Sequence, residues 1–428
     1  MYKYRGSMRA AGKNLIHSLI KSDFVQKVAE TFATRILMIG LGLVTSVMVA
    51  RILGPEGRGL YAVAVAVGAI GVQFGNLGLH ASNTYYVARD RSLLPALIGN
   101  TVTVSFVLGG AGGLLAWIVF SLRPELAPVL GLLLALSLLW IPFGLAYLLL
   151  QNLLLGIHEV RAFNKIELAN QITAVILIGL VILGGAVRVE TVFGAGFVGL
   201  AAGFSLALWG LKKHAKDFPL PSLSLFKDNI GYGIKAYLSA FFAFMVLRID
   251  LLMVKYMLGA EQAGFYSIAV TMADMISMMP VVVGTILFPK LSAMDSISKK
   301  WLITKRVTII LSIILMGSCG LAVLIAMPII RVLFGTSFLP AVPAFVWLMP
   351  GMFFLGIEVI IVQFLNSIGF PRIVVLIWAF VCLLNVMLNL WAIPRFGIVG
   401  ASAVSTVSYC SVFFLIAVTI YRARRRYE

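Results

Sequence analysis

The chain has 428 residues, 61% of them hydrophobic and only 12% charged, with a mean hydropathy of +1.03. That much apolar surface excludes a water-soluble globular protein and predicts a polytopic membrane protein. The net charge of +18 would suggest nucleic acid on a soluble chain, but its distribution along this one follows membrane topology and requires no nucleic-acid partner.

A spanning helix needs about 20 apolar residues. Twelve segments qualify, roughly 31–53, 60–88, 94–121, 126–156, 162–185, 190–211, 230–256, 264–290, 303–327, 338–368, 371–392 and 398–421. Ahead of them, residues 1–30 are basic and amphipathic. Leu15, Ile16, Leu19, Ile20, Phe24 and Val28 recur at helical spacing among Lys13, Lys21 and Lys27, as in a helix lying on a leaflet; a mobile leader is the other reading. No small-residue cleavage site follows a short apolar stretch, so no cleavable signal peptide is expected.

Span one carries Arg35 and runs into Leu53-Gly-Pro-Glu-Gly-Arg-Gly-Leu-Tyr61. Span two bears Gln73, Asn76, His80 and Asn83 at intervals of three or four, a polar stripe suited either to a wet cleft or to packing by hydrogen bonds. Gly109, Gly110, Gly112 and Gly113 in span three predict close helix approach. Pro142, Pro280 and Pro350 predict kinks in spans four, eight and ten. Span five contains Glu167. In span six, Gly194 to Gly199 matches Gly-x-Gly-x-x-Gly, but it lies in an apolar span without a preceding soluble strand and is not read as a dinucleotide site.

The connection over 212–228 combines Lys212, Lys213, His214, Lys216, Asp217, Pro219 and Pro221. It is the expected boundary between an N-terminal lobe (31–220) and a C-terminal lobe (221–428). Span seven then carries Lys235, Arg248 and Asp250, and it ends in Leu258-Gly-Ala-Glu-Gln-Ala-Gly-Phe-Tyr266. This second motif repeats the first about half the chain later, with Leu-Gly, Glu and Gly-aromatic-Tyr at matching offsets. A weaker echo links Gln151 to Gly156 with Gln363 to Gly369. Asp274 lies in span eight, Glu358 in span ten, Asn385 and Asn389 on one face of span eleven, and Ser405 and Thr406 in span twelve.

Six spans per half start both halves on the same membrane face. The predicted fold is therefore all-α, with twelve transmembrane helices in two parallel six-helix lobes around a central cavity. With both termini inside, inner segments hold twenty-four Lys and Arg and outer segments seven, Arg51 and Arg58 among the latter. That asymmetry supports the even span count and the orientation, with anionic headgroups of membrane lipids as minor partners.

Charges inside the bilayer cost about 2.5–3.5 kcal/mol each at a helix centre, so they face a cavity or a partner. Arg35, Lys235 and Arg248, on the first spans of the two halves, are candidates to line a cationic cleft for an anionic cargo such as a phosphate or pyrophosphate. The alternative is that Arg248 pairs with an acid while Arg35 and Lys235 snorkel to the surface. Asp250, Asp274 and Glu358 are candidates for coupling to protons or Na⁺. Asn385, Asn389 and Asp250, with Ser405 or Thr406, form a candidate oxygen cage for Na⁺. Interhelical hydrogen bonding is the competing reading there, as pairing with a buried cation is for Asp274 and Glu358.

Catalysis is not expected, and no cofactor is predicted. The sequence lacks a Walker A pattern, a His-Glu-x-x-His pair and cysteines at zinc spacing. Cys319, Cys382 and Cys410 fall inside spans as small apolar residues. Of the four histidines only His80 lies within a span, where packing or hydrogen bonding is the ordinary role.

Arg51-Ile-Leu-Gly-Pro-Glu-Gly-Arg-Gly-Leu-Tyr61 resembles the junction of spans one and two in the Wzx-type O-antigen and exopolysaccharide flippases. Arg248-Ile-Asp250, the second motif and Leu287-Phe-Pro-Lys-Leu291 resemble their second half, in the same order. The resemblance implies two six-helix lobes in a V, alternating access, an undecaprenyl-pyrophosphate-linked oligosaccharide as cargo and coupling to a proton or cation gradient. It also implies a bacterial cytoplasmic-membrane location and, as partners, a polysaccharide polymerase with its chain-length machinery. By position Asp250 falls on an acidic site typical of span seven, and Arg35 and Arg248 fit a cationic cavity. The wider superfamily includes lipid II flippases, whose two extra C-terminal helices have no counterpart here, and multidrug antiporters. A cation-coupled exporter of small amphipathic molecules is the alternative function. A polymerase or ligase is disfavoured because the outer loops are short.

Overall fold

The computed structural model describes residues 23–215, 217, 220–369 and 372–425, without the side chains of 23–33, 235, 236 and 424. Most of the expected interfacial segment 1–30 therefore lies outside the described residues. Within them the chain is helical and has no strand. The helices are α1 (Asp23–Asn76), α2 (Leu79–Arg89), α3 (Leu94–Val104), α4 (Gly110–Leu122), α5 (Gly131–Gly156), α6 (Val160–Leu183), α7 (Val189–Lys212), α8 (Leu223–Leu258), α9 (Ala260–Ser292), α10 (Ile297–Leu333), α11 (Ala341–Asn366) and α12 (Arg372–Arg425).

Among the described residues ten helical stretches are long and apolar enough to cross a membrane. Two of them, α1 and α12, bend at Gly54 and Gly397, each in the left-handed region, and each provides two crossings. The helices thus supply the twelve expected spans: α1 carries span one and, continued by α2, span two, α3–α4 span three, α5 to α11 spans four to ten, and α12 spans eleven and twelve. The last two run antiparallel: Asn385 donates to Ser408, and Gly400 lies against the Ala392 carbonyl.

The two halves pack alike. In the N-terminal half Gly68, Gly71 and Gly75 of span two lie against Trp140, Ile141 and Leu145 of span four, a parallel pairing. In the C-terminal half Gly284 of span eight meets Val359 and Gln363 of span ten, and Gly356 meets Pro280. Small residues let backbones approach where lipid supplies no hydrophobic drive between helices. Of the four glycines expected to do this in span three, Gly109 and Gly113 face span four, whereas a Cβ at Gly110 or Gly112 would meet nothing within 4 Å. A π-helical segment, Ser105–Gly109, ends at the first of them. Pro142, Pro280 and Pro350 lie inside continuous helices; non-helical backbone occurs at Gly54, next to Pro55, and at Gly397, three residues after Pro394.

The main apolar core fills the C-terminal half and extends through Ala50, Val63 and Ala64 into the first; a smaller cluster around Leu97, Leu150 and Leu153 closes the other end of the N-terminal half. Both repeated motifs lie on one face of the bundle, called here the motif face. The connection between α7 and α8 lies on the opposite, linker face.

Candidate functional site

The repeated motif builds the lobe joint on the motif face. Gly54 (φ 67°, ψ −175°) and Gly259 (φ 95°, ψ 177°) occupy the same offset in the two copies and take a conformation that other residues rarely adopt. Each ends one helix and starts the next. The helices they start then cross each other. A Cβ on Gly59 would overlap the Ala260 carbonyl, and one on Gly264 would overlap that of Pro55. Position three of each copy therefore receives the glycine of the other, a self-complementary contact of the kind a two-fold axis generates.

Two clamps flank this crossing. Arg51 Nε donates to the Leu333 carbonyl at 2.8 Å, and its Nη2 donates to that of Val332. Tyr256, at the corresponding offset in the second half, donates to the Leu126 carbonyl at 2.5 Å. Arg51 thus caps the end of the third span of the opposite half, and Tyr256 holds the 3-10 turn Pro124–Leu126 that follows the third span of the first half. Arg58 lies at the centre. Its Nε donates to Ser267 Oγ and its Nη2 to Thr271 Oγ1, both at 3.2 Å.

On the linker face the joint uses neutral polar groups. Tyr237 donates to the Gln73 carbonyl at 2.7 Å. Asn229 Nδ2 donates to Asn83 Oδ1 at 3.0 Å, while Asn83 Nδ2 donates to Thr101 Oγ1 at 3.1 Å. Asn100 exchanges two hydrogen bonds with the Ser222 backbone, Tyr85 and Tyr232 stack at 4.3 Å, and Gly78 and Gly233 meet backbone to backbone. Of the span-two stripe, Asn83 is thus buried in the joint, and Asn76 is buried with its Oδ1 3.0 Å from His80 Nδ1. These two placements follow the packing reading of the stripe.

The intramembrane charges sort into pairs and a buried cluster. Arg35 lies 3.9 Å from Glu167 and leaves 52% of its side chain exposed. Arg248 donates to Asp274 Oδ2 at 2.9 Å, with both side chains 36% exposed. The expected cation for Asp274 is therefore Arg248. The Lys235 side chain lies outside the described residues. Glu358 is buried, with no ion-pair partner among the described residues, and its Oε1 accepts no hydrogen bond; pairing with a buried cation is not what the structure gives it.

Asp250 lies inside the C-terminal half, 2% exposed. Its carboxylate accepts from Tyr266 at 2.5 Å, Ser405 at 3.0 Å and the Leu251 backbone at 2.8 Å. Asn385 donates to Ser408 and Asn389 to Asn385; Asn389 Oδ1 and Ser402 Oγ are buried without a partner. Of the alternatives Ser405 and Thr406, Ser405 reaches Asp250. Thr406 is turned a helical step away and donates to the Trp347 carbonyl at 2.6 Å, so its hydroxyl does not belong to the cluster.

Two buried polar side chains escaped sequence reasoning. Arg58 reads as an outer-loop cation, yet it is 7% exposed. Tyr266 reads only as the last residue of the motif, yet it binds Asp250. Their signals were, respectively, a departure between the copies (Arg58 against Ala263) and a match (Tyr61 and Tyr266).

Residues 24–295 match the family described as "Polysaccharide biosynthesis protein". Among solved structures the fold is similar to an inward-facing multidrug resistance MATE family transporter of the MOP superfamily, with TM-score 0.70 and 14% identity over 90% of this chain and 95% of the other. It is likewise similar to the lipid II flippase MurJ in an inward closed conformation, with TM-score 0.72 and 15% identity over 93% of this chain and 87% of the other. A curated relative, the uncharacterized membrane protein MJ1068 of Methanocaldococcus jannaschii, is 28% identical over 201 residues; the match spans 46% of this chain and 40% of that protein. At these identities the solved structures speak for the fold alone. The duplicated helical halves, the motif crossing and the family match lead to one assignment: the chain belongs to the polysaccharide biosynthesis protein family and is a polytopic helical membrane protein with the fold seen in these MOP superfamily structures.

Proposed function

We propose that the protein flips an undecaprenyl-pyrophosphate-linked oligosaccharide, an O-antigen or exopolysaccharide repeat unit, across a bacterial cytoplasmic membrane. The linker face and both termini are cytoplasmic in this reading, where the Lys and Arg excess lies. The observation that carries it is the pair Arg35–Glu167 and Arg248–Asp274. Each couples a guanidinium on the first span of one half to a single carboxylate while leaving both groups partly exposed. A pyrophosphate offers several charged oxygens in the geometry a guanidinium binds bidentately, so it competes with each carboxylate for its partner. The sugars then occupy the hydrated cleft between the lobes, and the polyprenyl tail stays in lipid, because a sugar headgroup cannot cross about 30 Å of hydrocarbon unaided. Lys235, on the same span as Arg248, is the third proposed cargo-binding cation.

Alternating access needs a ligand that prefers one state. Asp250, Asn385, Asn389 and Ser405 are the proposed seat of the coupling ion, Na⁺ or a proton, with the free Asn389 oxygen as an unused donor atom. Glu358 is a second proposed proton carrier. Lobe boundaries at 31–220 and 221–428 follow the same reading, as does cooperation with a polymerase and its chain-length machinery.

The test is surface polysaccharide in a strain carrying Arg35→Ala together with Arg248→Ala. Polymer falls to background with protein amount in the membrane unchanged and drug susceptibility unaltered. Unchanged polymer, with drug susceptibility raised, overturns the reading in favour of a multidrug exporter.

A further inference from the structure

Arg58 differs from the other bilayer cations in its company. Arg35 and Arg248 each have a carboxylate. Arg58 is 7% exposed, and among the described residues no carboxylate lies within ion-pair distance of it. Its hydrogen-bond partners are two hydroxyls, Ser267 and Thr271, and the Tyr61 ring of its own span lies 5.8 Å from the guanidinium. Both hydroxyls have already spent their protons on the helix backbone, at the Gly264 and Ser267 carbonyls. They accept from the guanidinium but return no charge. A buried cation with neutral partners is an expensive arrangement. Packing does not demand it, because Ala263 fills the corresponding place in the second copy and is fully buried there.

The hydroxyls belong to span eight, and Arg58 to span two, so the contact exists only while the lobes are together on the motif face. Parting them strips Arg58 of both hydrogen-bond partners and leaves a guanidinium at the mouth with only the Tyr61 ring of its own helix beside it. Ser267, Thr271 and Asp274 follow one another at i, i+4 and i+7, one stripe of span eight. Arg58 occupies the motif-face end of that stripe, and Arg248, on Asp274, its deeper end. At 1.5 Å per residue the two stations lie about 5–10 Å apart along the helix.

We propose that Arg58 is an anion-binding residue of the motif-face gate: stowed on Ser267 and Thr271 when the lobes meet, it takes phosphate oxygens passed on from Arg248 when they part. The proposal rests on the phosphate-bearing cargo proposed above. A mere latch predicts the opposite sign in a binding experiment. Removing either side of a latch loosens the joint alike, so Arg58→Ala and Ser267→Ala/Thr271→Val would change affinity in the same direction.

Binding of farnesyl pyrophosphate to the purified full chain in lipid nanodiscs, measured by calorimetry, separates the two. Ser267→Ala/Thr271→Val frees the guanidinium, and affinity rises at least threefold. Adding Arg58→Ala to that background lowers it at least tenfold, and Arg58→Lys in its place retains part of the affinity. Equal affinity with and without Arg58 overturns the proposal. Should the double background misfold, single Arg58→Gln serves: loss of affinity supports the anion role, and unchanged or raised affinity overturns it. Inorganic pyrophosphate as competitor tells a free phosphate anion from a lipid-linked one, and either supports the role of Arg58. If Arg248→Ala weakens binding while Arg58→Gln does not, the cargo reading stands and this inference falls. If wild-type protein binds neither probe, both fall.

Discussion

The two joints between the lobes are built from different materials. On the motif face a duplicated sequence packs on itself, with Gly59 and Gly264 each against the backbone of the other copy, Arg51 clamping the end of span nine and Tyr256 the turn after span three. On the linker face span two meets span seven through amides and phenols, Asn83 with Asn229 and Tyr237 with the Gln73 carbonyl. The first joint is steric and nearly all-or-none, since backbone cannot move aside for a methyl group. The second is a set of individually modest hydrogen bonds, each worth about 0.5–1.5 kcal/mol net. Gating on the two faces should therefore respond differently to substitution: abruptly on the motif face, gradually on the linker face.

The largest expected effect breaks the steric joint. Gly59→Val or Gly264→Val puts branched carbon into the space of the Ala260 or Pro55 carbonyl, and transport should drop more than tenfold. A cysteine at Ala263, which is fully buried beside Gly264, should then label with an impermeant maleimide; wild-type labelling in Gly59→Val would show that the crossing is not a gate. A middle-sized effect tests the linker face. Asn83→Leu alone strands the Asn229 amide and should cost about 1–3 kcal/mol in thermal unfolding, because a buried polar group loses its partner. Replacing Asn229 by Leu as well should recover part of that, and a purely additive loss would mean that the pair does not act as a unit. The smallest effect is the control. Gly112→Ala adds a methyl where nothing lies within 4 Å; it should leave transport intact and raise stability by up to about 1 kcal/mol, the helix-propensity difference.

Much of this architecture is legible in the chain. Twelve apolar segments, the repeated Leu-Gly…Gly-aromatic-Tyr and the rarity of charges predict two like halves and single out Arg35, Arg248, Asp250 and Asp274. The partners of those residues are not legible. Arg248 finds Asp274, 26 positions on, rather than Asp250, two positions on, because a spacing of two places side chains on different faces of a helix. Thr406 and Ser405 are neighbours in sequence, yet a 100° helical step gives one to Trp347 and the other to Asp250. Arg58 looks like a loop cation because its motif contains glycine and proline; only the crossing of the two copies buries it.

Sequence alone settled the properties that are sums or repeats along one dimension: solvent, span number, duplication and family. Hydropathy and periodicity act locally, so they survive without coordinates. Which glycine meets which carbonyl, which carboxylate neutralises which guanidinium, and which cation is hidden in the joint were decided by tertiary structure. Those outcomes depend on the rotation of each helix about its axis and on contacts across some 200 residues of chain, as between Arg58 and Ser267, and no local pattern encodes either.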